Sequence, residues 1–184
     1  MERKKIMRRG IIIGVLALVV VASACKRDSS PQAAPPGKPQ ATARNDVPTA
    51  LPANGFKAAI MLVEPPAKLR SGQKETVRVR VKNASDVMWW ARGAPVNPSP
   101  NNKFYIATGN RWLKSDGSLL TDMDGRSGIG KDLNPGEETD VPLVITAPKE
   151  PGEYTLEIDV IQEQVAWFSD KGSPTAKTKM TVVR

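Results

Sequence analysis

The strongest constraint in this chain is an alternation. Val77, Val79 and Val81 are interleaved with Arg78, Arg80 and Lys82, so a fully extended backbone puts every apolar side chain on one face and every charge on the other. The same two-residue period recurs at Tyr154, Leu156, Ile158 and Val160 against Thr155, Glu157 and Asp159, and again at Thr178, Met180 and Val182 against Lys177 and Lys179. It recurs once more at Val141, Leu143 and Ile145, where Pro142 withholds a ladder donor and predicts an edge strand. Phe56 to Val63 is a further candidate, closed by Pro65-Pro66. Phe104–Ala107 and Arg111–Lys114 read as two strands either side of a Thr108-Gly109-Asn110 turn. Ser71-Gly72, Asp116-Gly117, Asp124-Gly125, Pro135-Gly136 and Pro151-Gly152 supply turn chemistry between them. No window has a 3.6-residue apolar stripe. Seven or eight short strands with regular turns predict an all-β chain, an antiparallel β-sandwich of Ig-like architecture. Pro151-Gly152-Glu153-Tyr154 suits a tyrosine corner, with the Tyr154 hydroxyl bonding back to the backbone. The interval from Lys82 to Phe104, which holds Trp89-Trp90, Pro95, Pro98 and Pro100, reads as an elaborated loop.

All nine aromatic residues lie at or beyond Phe56. Before them, residues 26–55 are rich in Pro and Ala, with Ser and Gln, and cannot bury enough apolar surface to offset their ordering entropy. The expected organisation is therefore a signal over 1–24, a linker over 25–55 and one domain over 56–184. Charge follows the same division. Of the net +8, residues 1–24 contribute +4, residues 25–54 contribute +2 and residues 55–184 contribute +2. The domain lacks the concentrated basic face that counterion release requires, so nucleic acid is not an expected partner.

The N-terminus reads as an address. A basic Met1–Gly10 segment precedes eleven mostly apolar residues, Ile11 to Val21, too few for a confident membrane span. Ala22-Ser23-Ala24 then leads to Cys25, the only cysteine of the chain. This triplet resembles the lipobox of bacterial lipoproteins, with Ala22 where Leu is commonest. The resemblance implies cleavage before Cys25, a lipid thioether on its sulfur, and anchorage in the cell envelope facing the periplasm or exterior. Two or more acyl chains, at about 0.8 kcal/mol per buried CH₂, hold a protein stably at a membrane. Arg8-Arg9 leaves twin-arginine export open beside the general route. Which membrane holds the lipid is likewise open.

The catalytic inventory is thin. With no His, the chain has no Ser-His-Asp or Cys-His pair and no His-bearing zinc site; one Cys permits no internal disulfide. Asp122-Met123-Asp124-Gly125 fails the EF-hand pattern at Leu120 and Lys131, leaving only a looser calcium site from Asp116, Asp122 and Asp124. Asn83-Ala84-Ser85 matches a glycosylation acceptor but reads as a turn after a strand. The glycines from Gly125 to Gly130 lack the strand-to-helix setting of a phosphate cradle. No cofactor and no metal are expected, and no residue pair stands out as catalytic.

Several blocks taken in order are similar to a known type. They are Val79–Ser85, Trp89-Trp90, Arg111–Gly117, Gly125-Arg126, Leu133–Glu137, Ala147-Pro148, Pro151–Leu156 and Asp159–Phe168. Together, over roughly Leu69 to Ser173, they resemble the small Ig-like modules appended to bacterial glycosyltransferases and methyltransferases of envelope polysaccharide synthesis. A more distant similarity is to the four-tryptophan Ig-like domains of autophagy receptors, which bind proteins. The resemblance implies an accessory, non-catalytic role near glycans. This chain departs from it in lacking an attached transferase domain and in carrying a lipoprotein signal.

Trp112, mid-strand beside Leu113, is expected in the core. Within Trp89-Trp90 and Trp167-Phe168, neighbours face opposite ways, so one of each pair is expected at the surface. The candidate ligand-binding residues are Trp89, Trp90, Trp167 and Phe168, with Gln162 and Glu163 as hydrogen-bonding neighbours. An exposed indole suits the apolar face of a sugar ring, and equally a protein hot spot. Two partners stay open: an envelope polysaccharide or peptidoglycan, or an envelope protein.

Overall fold

A computed structural model describes residues 47–92 and 102–184. The signal, Cys25 and most of the linker lie outside the described residues, as do Pro95, Pro98 and Pro100 of the long loop. The described residues form ten strands: β1 (Ala58–Val63), β2 (Lys68–Arg70), β3 (Lys74–Asn83), β4 (Ile106–Lys114), β5 (Leu119–Thr121), β6 (Arg126–Gly128), β7 (Glu138–Thr146), β8 (Gly152–Gln162), β9 (Ala166–Trp167) and β10 (Ala176–Val183). Strands β1-β3-β7 form one sheet. The larger sheet runs β2-β10-β8-β4-β5, with β6 also paired to β4 and β9 to β8. Among the described residues, β2 and β10 pair in parallel and the other strand pairs are antiparallel. The fold class is all-β, an Ig-like sandwich. Among the described residues no helix is long and apolar enough to cross a membrane.

The alternations become the inner faces of the two sheets. Val77, Val79 and Val81 of β3 and Val141, Leu143 and Ile145 of β7 meet Leu156, Ile158, Val160, Met180 and Val182 of β8 and β10 in one core. Trp112 joins it, as expected, with Tyr154 packed edge-on at 6.4 Å between ring centroids. The Tyr154 hydroxyl donates to the Glu150 carbonyl at 2.9 Å, which is the tyrosine corner. Strand β7 does lie at a sheet edge, with Pro142 opposite Arg78. That edge is partly covered, which blunts it against strand addition. The Thr146 amide donates to Asp124 Oδ2, and Gly125 lies so close to Val144 that an added Cβ would stand 2.0 Å from its carbonyl oxygen.

Two expectations need correction. Thr108-Gly109-Asn110 is not a turn: it is the middle of β4, a single nine-residue strand. The linker boundary also moves. Leu51 packs against the core, and the Gly55 carbonyl accepts a hydrogen bond from Trp89 Nε1 at 3.0 Å, so residues 49–55 belong to the packed domain. Gln162 fastens this segment. Its Oε1 accepts from the Leu51 amide at 2.9 Å, while its Nε2 donates to the carbonyls of Thr49 at 2.9 Å and Phe104 at 3.0 Å.

Candidate functional site

The sequence candidates fall into three groups. Trp89 and Phe168 are core residues, both 0 % exposed. Phe168 is the hub: Phe56 and Trp89 pack edge-on against it at 5.1 and 5.0 Å. Trp89 settles there because its N–H finds the Gly55 carbonyl, and such aromatic pairs add about 0.5–1.5 kcal/mol beyond simple burial. Neither ring is available to a ligand. Gln162 is also withdrawn, at 0 % exposure, because both ends of its amide are spent on backbone groups. Trp90 and Trp167 are half-buried and stay at the surface, one from each pair.

Trp167 has the more elaborate surroundings, on the outer face of the larger sheet. It lies opposite Ile161 of β8. Two strands away on the same face, Gly109 of β4 sits between Asp159 of β8 and Arg126 of β6. The indole reaches across to Gly109, whose missing side chain leaves the gap it fills. A Cβ there would stand 2.7 Å from Trp167 Cη2 and 3.1 Å from Cζ3. A strand glycine of this kind marks a close approach. The Arg111 guanidinium lies over the ring at 4.2 Å from its centroid and Arg126 at 5.8 Å, both within cation–π range.

Both guanidiniums are themselves held. Arg111 pairs with Asp122 at 3.0 Å and Asp159 at 3.6 Å; Arg126 pairs with Glu163 at 3.0 Å and touches the Met123 sulfur. Glu163 is therefore a buried carboxyl, 4 % exposed. Burial raises the pKa of its carboxyl, and the Arg126 charge offsets this only in part. Burial likewise raises that of Asp159, against the hydrogen bonds its oxygens accept from the Val160 and Ser169 amides. Glu163 Oε1 and Arg126 Nε are both enclosed without a hydrogen-bond partner.

Arg111, Arg126 and Gly109 were not singled out in the sequence as site residues. The one local signal was the glycine, and it read more naturally as a turn. The acidic residues weighed for calcium do not converge. Asp122 pairs with Arg111, Asp124 accepts from the Thr146 amide, and Asp116 accepts from the Ser118 amide at 2.8 Å. Among the described residues no group of three or more potential ligands is placed to hold a metal ion. Asn83 is 0 % exposed and donates to the carbonyls of Val87 and Leu133, so it presents no amide for glycosylation in this fold.

A second surface feature is a groove of about 450 Å³ lined by Leu120 and Thr121 of β5, by Ala147, Pro148 and Lys149, and by Tyr154. Leu120, which lines it, is 40 % exposed, and its sequence neighbours Leu119 and Met123 are 53 % and 43 % exposed.

No family profile matches the chain, and no curated protein matches it. Among solved structures it is similar to the CARDB domain of the PF1109 protein from Pyrococcus furiosus, crystallised in complex with di-metal ions, at 16 % identity and TM-score 0.39 over 69 % of this chain and 86 % of that one. It is also similar to Spo0M, a sporulation control protein from Bacillus subtilis, at 15 % identity and TM-score 0.39 over 70 % of this chain and 49 % of that one. A third is a β-glucosidase from Listeria innocua in complex with laminaribiose, at 14 % identity and TM-score 0.42, where the match spans 70 % of this chain and only 16 % of the other.

Proposed function

We propose that this chain is a lipid-anchored protein of the bacterial cell envelope, cleaved before Cys25 and acylated there, whose Ig-like domain is a non-catalytic binding module for envelope glycan. The observation that carries the binding reading is the mounting of Trp167. A half-exposed indole is seated in the Gly109 gap and flanked by two guanidiniums that carboxylates hold in place. Such preorganisation limits the ordering cost when a ligand arrives. An apolar ring edge next to fixed donors and acceptors is the combination that a sugar, apolar on its C–H face and polar at its hydroxyls, complements. Trp90 is a further half-buried aromatic at the surface. The absence of His from the whole chain supports a role in gripping rather than transforming.

The anchor rests on the lipobox-like Ala22-Ser23-Ala24-Cys25. Replacing Cys25 by Ser is expected to move the protein from the detergent phase to the aqueous phase and to abolish incorporation of labelled fatty acid. Full partition of the variant with membranes contradicts the assignment. For the domain, a glycan array probed with the full chain is expected to give hits that the W167A variant loses. The resemblance to modules of envelope polysaccharide enzymes belongs to the same reading.

A second reading, docking of an envelope protein, is favoured by a separate observation: the exposed Leu119 and Leu120 of β5, with Leu120 lining the groove that Tyr154 also lines. An empty array, with an envelope protein co-purifying and lost on the Leu120→Asp change, supports this alternative.

A further inference from the structure

Given the glycan reading, on which this inference rests, we infer that the Trp167 face selects uncharged, polyhydroxylated sugar units, such as neutral hexoses or N-acetylated hexosamines, over units bearing carboxylate or phosphate.

Charge balance is the first argument. Two guanidiniums flank the indole, and three carboxylates are paired with them: Asp122 and Asp159 with Arg111, Glu163 with Arg126. The positive charge that would attract an acidic sugar is already neutralised. An incoming anion has to displace a carboxylate from its partner or sit beside it, and like charges brought together at an interface are unfavourable. Asp159 and Glu163 are 1 % and 4 % exposed, so solvent screens them weakly. The basic pair therefore reads as scaffolding for the ring and not as an anion clamp.

Hydrogen-bond chemistry is the second argument, and it is independent of the first. Arg126 Nε is a donor without an acceptor, and Glu163 Oε1 is an acceptor without a donor. They belong to the two side chains joined by the 3.0 Å ion pair. The group that completes such a pair accepts and donates at once. A hydroxyl does both, and so does a water molecule holding its place beforehand. A carboxylate or phosphate oxygen only accepts, and would confront Glu163 with a second anion. Both unpaired atoms are enclosed, with Met123 packed against the Arg126 guanidinium and itself 43 % exposed. Met123 is thus the side chain whose displacement admits a ligand hydroxyl. A ligand hydroxyl there satisfies two buried groups that are otherwise left unmet.

The test is a titration of the full chain, followed by tryptophan fluorescence, with N-acetylchitotetraose as the neutral probe and tetragalacturonate as the acidic one. Neutral binding is expected to be tighter by about tenfold or more and nearly independent of salt. The E163Q variant removes one anion, so the ratio between the two probes is expected to shrink. Tetragalacturonate binding as tightly as, or more tightly than, the neutral probe overturns the selectivity and leaves the glycan reading standing. An unchanged ratio in E163Q also overturns it. If neither probe binds and the glycan array is empty as well, both the selectivity and the reading beneath it fall.

Discussion

Trp167 Cη2 occupies space that a β-carbon on Gly109 would claim: the two would stand 2.7 Å apart. The strand is therefore shaped to receive the ring, although the two residues are far apart in sequence. Gly109→Ala is expected to push the indole off the sheet, lower stability by about 1–3 kcal/mol and shift the tryptophan emission. In a W167A background the same change is expected to be much milder, because the clash partner is gone. Urea denaturation of the four proteins in this cycle measures the coupling. Additive effects would mean that the glycine is there for another reason.

Gln162 ties the entering chain to the end of β8 through three backbone partners. Gln162→Ala leaves Leu51 N–H and the carbonyls of Thr49 and Phe104 without it. A loss of about 1–3 kcal/mol is expected. Hydrogen exchange at the Leu51 amide is expected to accelerate more than exchange in β3. Unchanged protection at Leu51 would show that the segment is held by the packing of Leu51 alone.

The Tyr154 corner is more exposed, and its removal is cheaper. Tyr154→Phe deletes the bond to the Glu150 carbonyl but lets water reach the oxygen. The expected loss is about 1 kcal/mol or less, with the ring still packed on Trp112. Denaturant midpoints with an unchanged slope would confirm a local effect.

Glu163 gives the domain a specific pH signature. Its folded pKa is raised by burial above the unfolded value, so the native state holds the proton more tightly. Its contribution to stability is complete below the unfolded pKa and is lost as pH rises through the folded one. The advantage of wild type over E163Q is therefore expected to be greatest near about pH 4 and to shrink toward about pH 7. Asp159 acts in the same direction, while Asp140, held low mainly by its hydrogen bond from Arg80, acts in the opposite one. Thermal melts of both proteins across that range give the slope; an advantage that grows with pH contradicts the assignment.

These residues also show which parts of the fold were legible in the sequence. Strands β3, β7 and β10 each bury one face, so a two-residue period announces them. Pro142 and the Tyr154 corner carry local chemistry that needs no knowledge of the fold. Strand β4 was misread because Thr108-Gly109-Asn110 has the composition of a turn. What keeps it extended is remote: the Trp167 ring fills the gap at Gly109, and Asn110 Oδ1 accepts from the Gly125 amide at 2.7 Å. From Leu156 onward β8 hides both faces, its polar side included. Arg111 covers Asp159, while Thr175 and Lys177 engage Glu157. Alternation marks which residues share a face; it does not say whether a polar face meets water or an ion pair. Among the site candidates, the facing rule for adjacent residues separated Trp90 and Trp167 from Trp89 and Phe168 only as alternatives. Choosing between them took the tertiary partners, Gly55 for Trp89 and Phe56 for Phe168.

The proposed grip on glycan through the Trp167 face is open to direct measurement. The direct measurement is co-sedimentation of the full chain with insoluble peptidoglycan and with purified envelope polysaccharide, comparing wild type, W167A and Leu120→Asp. Wild type and Leu120→Asp are expected to pellet with at least one of these polymers, whereas W167A stays in solution while remaining folded. Equal pelleting of W167A and wild type, or loss of pelleting only in Leu120→Asp, would contradict it.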